Sequence, residues 1–531
     1  MKIFKIEDGI IKFFLLALIL AFIVLPISDS IPLLFTPSTP YLDVLVEKGI
    51  LWEYLLNTLE LVFKVGLFSI LLGFTSSYIV TMYDFKFKSI FKVLLTLPLA
   101  FPVYVGAYTY SSIFYTNKWL GNIFTGKLFM EGSVFIYGIF LYPYVYLACR
   151  SYLKDNLVEY IEASKTLGKS SLETFIKVIF PLSWPAVLGS TLFVIFETLS
   201  DFAVVEYYGV GTISKVITDS WMGLGQKDTA AKASMILLFV LTVIIFSEKI
   251  LRRKKRYEGI SDRKIKPEKP SGLATIMIYL FLSIVVSLSF ILPTYEMLVF
   301  TIAKSSYIAS IDLLGIASNT LITLFIAIFI IIVISSIFAS IVNQLKRGKK
   351  FFSTIAVMGY SIPSLILALA VYIFTLSLDN FIYDLFHIEW LVLMNTRTAL
   401  VIALVIKFIS VAFSNYSNSL AKISPNVFHA STMLRHNFLG TFFKVNLPLL
   451  KKPTKFVFII LFIDLIKELT LTYTLRPFNF KTLSTEIYRY AGNEMIEVAA
   501  IPSLVIVGIC SLMIIYLELG GKNVKNRKDK L

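Results

Sequence analysis

Twelve apolar runs, each about 20 residues long, limit what this chain can become more than any other feature. They begin near Ile10, Asn57, Phe91, Val134, Pro185 and Ala233, and again near Leu273, Asn319, Phe352, Trp390, Lys455 and Ile501. Lipid offers no water to backbone N–H and C=O groups, so each run must satisfy them internally as a helix. Pro98, Pro102 and Pro363 are expected to interrupt the helices that contain them. Composition points the same way. Hydrophobic residues make up 57% of the 531, and only 16% are charged, against about 25% in soluble domains. The fold class expected is an all-α polytopic membrane protein of about 12 transmembrane helices.

Charge then sets a topology. Fifty Lys and Arg against 34 Asp and Glu leave a net charge of +16. In a soluble chain that excess would suggest nucleic acid, but here the basic residues cluster between apolar runs. They fall at Lys86, Lys88 and Lys92; at Arg150 to Lys177; at Arg252 to Lys269; at Lys346 to Lys350; and at Lys422 to Lys455. The intervening connections are poor in positive charge. By the positive-inside rule the basic loops and both termini are cytoplasmic. This predicts a multi-pass membrane protein with the lipid bilayer, not nucleic acid, as its surroundings. The first run, after Lys2, Lys5 and Lys12, is read as a retained helix. A signal peptide is the alternative, but Ser28-Asp29-Ser30 is a poor cleavage site.

Cys149 and Cys510 are the only cysteines and both lie in apolar stretches, so no disulfide framework or thiolate metal site is expected. His387, His429 and His436 have no metal-ligand spacing with them. Gly168-Lys169-Ser170 hints at a phosphate-binding loop, yet Ala163 replaces its first glycine and no buried strand precedes it. No metal, bound cofactor or catalytic residue is expected in this chain, which is read as a non-enzyme.

The chain is internally duplicated. Ala163, Ser164, Leu167, Leu172, Thr174, Phe175, Lys177, Val178 and Pro181 recur at one fixed offset as Ala430, Ser431, Leu434, Leu439, Thr441, Phe442, Lys444, Val445 and Pro448. Asn57-Thr58-Leu59 is echoed by Asn319-Thr320-Leu321, and Thr212-Ile213-Ser214 by Thr482-Leu483-Ser484. Duplicated six-helix halves are a transporter signature. The halves are read as residues 1–250 and 272–531, joined by a basic cytoplasmic linker over 251–271. The repeated loops, 150–185 and 417–454, carry a helix-like apolar pattern. Gly168 supplies the bend of a helical hairpin and Pro181 resets the chain for the next span. A repeated amphipathic hairpin suits docking to a partner better than lying on the membrane.

These loops resemble the cytoplasmic signature of the integral membrane subunits of bacterial binding-protein-dependent ABC importers. Glu162-Ala163-Ser164, Gly168 and Pro181 match it. The second copy departs, with His429 for the glutamate and Arg435 for the glycine. More narrowly, the segments Glu197 to Phe202 with Tyr208-Gly209-Val210, Lys467-Glu468-Leu469, and Leu475 to Phe480 resemble the fused ferric-iron permeases. Thiamine and anion permeases share that architecture.

The resemblance implies two copies of a cytoplasmic ABC ATPase, which use the ATP, and a periplasmic substrate-binding protein. The ATPase-coupling loops then present Glu162, Ala163, Ser164, Gly168 and Pro181, and His429, Ala430, Ser431, Arg435 and Pro448. Thr212, Ser214, Thr482 and Ser484 are candidate contacts for the binding protein. Ionisable residues inside a membrane carry a functional expectation. Glu60 and Lys64, four apart, could neutralise each other, with Lys64 read either as a structural partner or as part of transport. Glu197 and Asp201 on one side of the repeat, with Asp464, Lys467 and Glu468 on the other, form either the candidate translocation path or a structural set of buried ion pairs between helices, with Glu197 and Glu468 read as equivalent. Tyr207, Tyr208 and Tyr473 lie nearby. Carboxylate and phenolate oxygens suit a hard cation such as ferric iron. The function expected is an ATP-driven importer permease for ferric iron; the alternatives are thiamine or another small solute, or a 12-helix secondary transporter.

Overall fold

A computed structural model describes residues 2–37, 39–116, 128–253, 265, 267–345, 347–387, 392–434 and 436–528. Among them the only β pairing is an isolated bridge between Tyr83 and Glu268. The long helices are α1 (Lys2–Ser28), α2 (Ile50–Met82), α3 (Lys88–Ala100 and Val103–Phe114), α4 (Leu128–Asn156), α5 (Ser171–Ser200) and α6 (Lys227–Arg253). They continue as α7 (Gly272–Ala303), α8 (Leu313–Gln344), α9 (Lys349–Ser361 and Ser364–Phe386), α10 (Arg397–Ala421), α11 (438–467) and α12 (Ile496–Lys528).

Ten of these are long and apolar enough to cross a membrane, and α3 makes an eleventh if its two bent segments are one span. The remaining helix, α11, is an apolar stretch with Lys451, Lys452 and Lys455 toward one end and Asp464 and Lys467 toward the other. The expected prolines do interrupt. Segments of α3 meet at 95° around Pro98 and Pro102, and Pro363 separates the two segments of α9. Trp390 lies outside the described residues, and α10 begins at Arg397.

Pro181 behaves differently from expectation. It does not restart the chain, because α5 runs through it. A π turn at Phe175–Ile179 ends two residues before Pro181, and the same arrangement recurs at Phe442–Asn446 before Pro448 and at Ser287–Ile291 before Pro293. Proline lacks the N–H that the carbonyl four residues back would take. In each π turn the N–H just before the proline bonds the carbonyl five residues back: Phe180 to Phe175, Leu447 to Phe442 and Leu292 to Ser287.

The outward faces are apolar, as lipid requires. On α2, Phe63, Leu67 and Leu71 form an exposed stripe at helical spacing. The opposite face buries Val65, Ser69, Gly73 and Ser76. A Cβ on Gly73 would stand 2.7 Å from the Tyr142 carbonyl oxygen, so the glycine is what allows α2 and α4 to pack at this distance.

Contacts divide the chain into two compact units that are not its sequence halves. One comprises Met1–Thr39, Gly225–Lys232 and Asp312–Thr485. Within it α1 packs against α8 and the second segment of α9, and α8, α10 and α11 pack on one another. The other comprises Pro40–Leu224, Ala233–Ile311 and Glu486–Leu531. There α2, α4 and α5 form the centre, and α7 packs against α12. Each unit thus takes the first helix of the other half. In the second unit Arg150 of α4 makes two 3.0 Å bonds to the carboxylate of Glu518 on α12, beside Tyr146.

Candidate functional site

Between α4 and α5 the chain forms the expected hairpin. Its first helix, Val158–Thr166, ends in a left-handed turn at Gly168, whose φ is +74°. The Lys169 N–H donates to the Ser164 carbonyl at 3.2 Å and the Gly168 N–H to the Lys165 carbonyl at 2.9 Å, the two bonds of a Schellman ending. Ser170 then caps α5 by accepting the Glu173 N–H. Across the bend the Ser164 and Thr174 hydroxyls are 2.9 Å apart. Glu162, Ala163, Leu167 and Leu172 are exposed, whereas Ser164 is buried.

The hairpin between α10 and α11 repeats three of these contacts. His436 N–H donates to the Ser431 carbonyl at 3.2 Å, and Asn437 replaces Ser170 as the cap, accepting from the Gly440 N–H at 2.7 Å. The Ser431 and Thr441 hydroxyls are again 2.9 Å apart. Ala430 and Leu434 are exposed. Arg435 and the side chain of His429 lie outside the described residues. Pro181 and Pro448 occupy the same place in α5 and α11.

The linker also reaches the first hairpin. Residues 254–264 and 266 lie outside the described residues, but Glu268 pairs with Lys165. Backbone bonds of 2.8 Å join Glu268 N–H to the Met82 carbonyl and Asp84 N–H to the Glu268 carbonyl.

Thr212, Ser214, Thr482 and Ser484 are not surface contacts in this structure; all four are only 2–3% exposed. Their role here is local. Thr212 caps Ile213–Thr218 by accepting the Lys215 N–H, and Ser484 donates to the Ile466 carbonyl. The other echo of the repeat meets them. Thr58 Oγ1 accepts the Ile213 N–H at 3.1 Å, and Thr320 Oγ1 accepts the Leu483 N–H at 2.9 Å.

The acidic residues pair differently from expectation. Helices α5 and α11 share one register from their π turns to their ends, so Asp201, not Glu197, corresponds to Glu468, and Glu197 corresponds to Asp464. Asp201 and Glu468 are the helix-ending residues. Each accepts the N–H three residues on: Val204 to Asp201 Oδ1 at 3.2 Å and Leu471 to Glu468 Oε1 at 3.0 Å. Asp464 lies 3.7 Å from Lys467. Glu468 is further held by Lys407 at 3.0 Å. Glu60 pairs with Lys64 at 2.6 Å as expected, and Lys64 also reaches Glu131 on α4 at 2.5 Å.

The tyrosines divide by role. Tyr208 is buried with its hydroxyl donated to the Ala107 carbonyl at 3.2 Å, and burial pushes its pKa well above the ordinary value, so it serves packing as a neutral phenol. Tyr207 stacks edge-on against Tyr108 at 4.6 Å. Tyr473 lies under Arg476, 5.1 Å from the guanidinium. Sequence reasoning missed Lys407, a lone charge within an apolar helix. It also missed Glu206, whose carboxylate accepts the Tyr488 hydroxyl at 2.7 Å. No His, Cys, Asp and Glu cluster among the described residues has the form of a metal site.

The family described as binding-protein-dependent transport system inner membrane component matches residues 66–256 and 331–525, once in each half. The chain belongs to this family of permeases. An Fe(3+)-transport system permease protein of Haemophilus influenzae is 24% identical to this permease over 93% of the chain and 92% of its own length. A sulfate transport system permease protein of Salmonella typhimurium is 25% identical over 44% of the chain and 87% of its own length. A molybdate/tungstate transport system permease protein of Methanocaldococcus jannaschii is 27% identical over 46% of the chain and 95% of its own length. The permease is therefore an ABC importer subunit and a multi-pass membrane protein, not itself a catalytic enzyme.

Proposed function

We propose that this permease imports ferric iron. One observation carries the reading: the ferric-iron relative matches across both halves, whereas the oxyanion relatives match less than half of the chain. Two ATPase subunits dock on the two hairpins from the cytoplasm, and a periplasmic binding protein delivers the cargo to the opposite face. Both chain termini are cytoplasmic, following the positive charge of the loops. The exposed residues Glu162, Leu167 and Leu172, and Ala430, Leu434 and Leu439, are the docking surface. Closure of the ATPases moves the hairpins, and the continuous helices α5 and α11 carry that motion to Asp201 and Glu468 at their far ends. Glu197, Asp201, Asp464, Lys467 and Glu468 border the path. Carboxylate oxygens at such positions suit a small hard cation.

The test is uptake. Cells in which this permease is the only iron importer should lose iron-55 accumulation when it is deleted. Unchanged iron uptake alongside lost uptake of sulfate, molybdate or thiamine would assign another cargo to the same machine.

A further inference from the structure

Three helix ends meet at one side chain. Lys407 lies within the apolar helix α10, and its side chain is only 3% exposed. Its ammonium donates to Ser364 Oγ at 2.5 Å and to Glu468 Oε2 at 3.0 Å. Ser364 opens the second segment of α9, directly after the break at Pro363. Glu468 ends α11, and its other oxygen caps the short helix Thr470–Leu475 through the Leu471 N–H. Lys407 thereby ties the start of one segment to the end of a second and, through Glu468, to the start of a third.

A small cavity adjoins this node. It measures about 20 Å³ and is lined by Glu468, by Thr and Ser residues that include Thr320, Thr482 and Ser484 of the repeat, and by as many Leu and Ile residues. That is room for about one water molecule. Interrupted helices whose ends converge within the membrane are where transporters hold cargo or coupling ions. A lysine buried in such surroundings persists only with a partner.

We propose that Lys407 is a positioning residue that holds Glu468 at the edge of this cavity, so that the pair takes part in transport as one neutral unit. This rests on the reading that Glu468 borders the translocation path. It changes what a charge-removing substitution means. Glu468→Gln keeps the size of the side chain but strands a buried ammonium, so its effect mixes lost function with lost stability. Removing both charges separates the two.

The experiment uses the complete complex of permease, ATPase and binding protein in proteoliposomes. Lys407→Met, Glu468→Gln, the double variant and Lys407→Arg are compared for thermal midpoint and for ATP hydrolysis stimulated by the loaded binding protein. Each single variant is expected to lower the midpoint and to reduce stimulated hydrolysis at least tenfold. The double variant is expected to recover the midpoint but not the stimulation, and Lys407→Arg to keep much of both. Full recovery of stimulation in the double variant would make the pair a purely structural bridge and overturn the proposal. Wild-type behaviour of Lys407→Met would do the same. A wild-type complex that is stimulated yet imports no iron-55 would remove the iron reading and leave the result for Lys407 standing.

Discussion

Ser164 and Thr174 face each other across the first hairpin with their hydroxyl oxygens 2.9 Å apart, and Ser431 and Thr441 keep the same separation in the second. The repeat therefore preserves the contact together with the residues that make it. Around it the capping residue changes from Ser170 to Asn437, both of which can accept an N–H at a helix start. What the two hairpins share is this hydroxyl pair and the bond that closes the first helix, Lys169 N–H to the Ser164 carbonyl and His436 N–H to the Ser431 carbonyl.

Gly168→Val tests that bend. No neighbouring atom lies within 4 Å of an added Cβ, so the penalty is conformational and not steric crowding. A β-branched residue at φ +74° is strained by about 1–2 kcal/mol or more. Reduced co-purification of the ATPase, or ATP hydrolysis uncoupled from transport, is the expected outcome, with a smaller effect from Arg435→Val. Equal effects at the two positions would mean that the asymmetry of the hairpins has no functional meaning.

The outer echoes of the repeat make a stability prediction. Thr58→Val and Thr320→Val keep side-chain shape while leaving the buried N–H groups of Ile213 and Leu483 without their acceptors. Each should cost about 1–3 kcal/mol. The readout is the thermal midpoint of the detergent-solubilised permease. Affinity for the binding protein should be nearly unchanged, since these contacts are internal.

A third expectation concerns α12. Arg150 and Glu518 form a bidentate, largely buried pair with side chains 26% and 15% exposed. Glu518→Gln should lower stability by about 1.5–3 kcal/mol. Arg150→Met combined with Glu518→Leu should recover much of the loss, because no charge is then left unpaired. A double variant as unstable as the sum of the singles would show that the two side chains act independently.

Charge on the proposed path is best tested in the first half. Glu197→Gln is expected to impair transport at normal membrane abundance, measured as iron-55 uptake per unit of permease. Asp464→Asn, its counterpart in the second half, should act in the same direction. Normal uptake in both variants would remove these carboxylates from the path.

Much of this architecture is legible in the residues. Apolar runs about 20 residues long, the prolines that interrupt α3 and α9, and the repeat around Ser164 and Ser431 all follow from local chemistry. So does the glycine bend, because positive φ is a property of one residue. Pairings between distant residues are less legible. Lys407 gave no periodic signal, and its partners lie 43 and 61 positions away along the chain. The equivalence of Asp201 with Glu468 is legible from the same fixed offset that pairs Pro181 with Pro448; matching Glu197 to Glu468 by residue type ignores that register. Thr212 and Thr482 looked like outer contacts because polar residues between spans are ordinarily exposed; burial against Thr58 and Thr320 is a tertiary fact.

The measurement that bears most directly on the central claim is the energy source. Purified permease is reconstituted into proteoliposomes with or without its ATPase, and cargo uptake is followed from the loaded binding protein. The account predicts uptake only when ATPase and ATP are both present on the hairpin side, and none under a proton or sodium gradient alone. Uptake by the permease without ATPase, driven by an ion gradient, would contradict it and make this chain a secondary transporter.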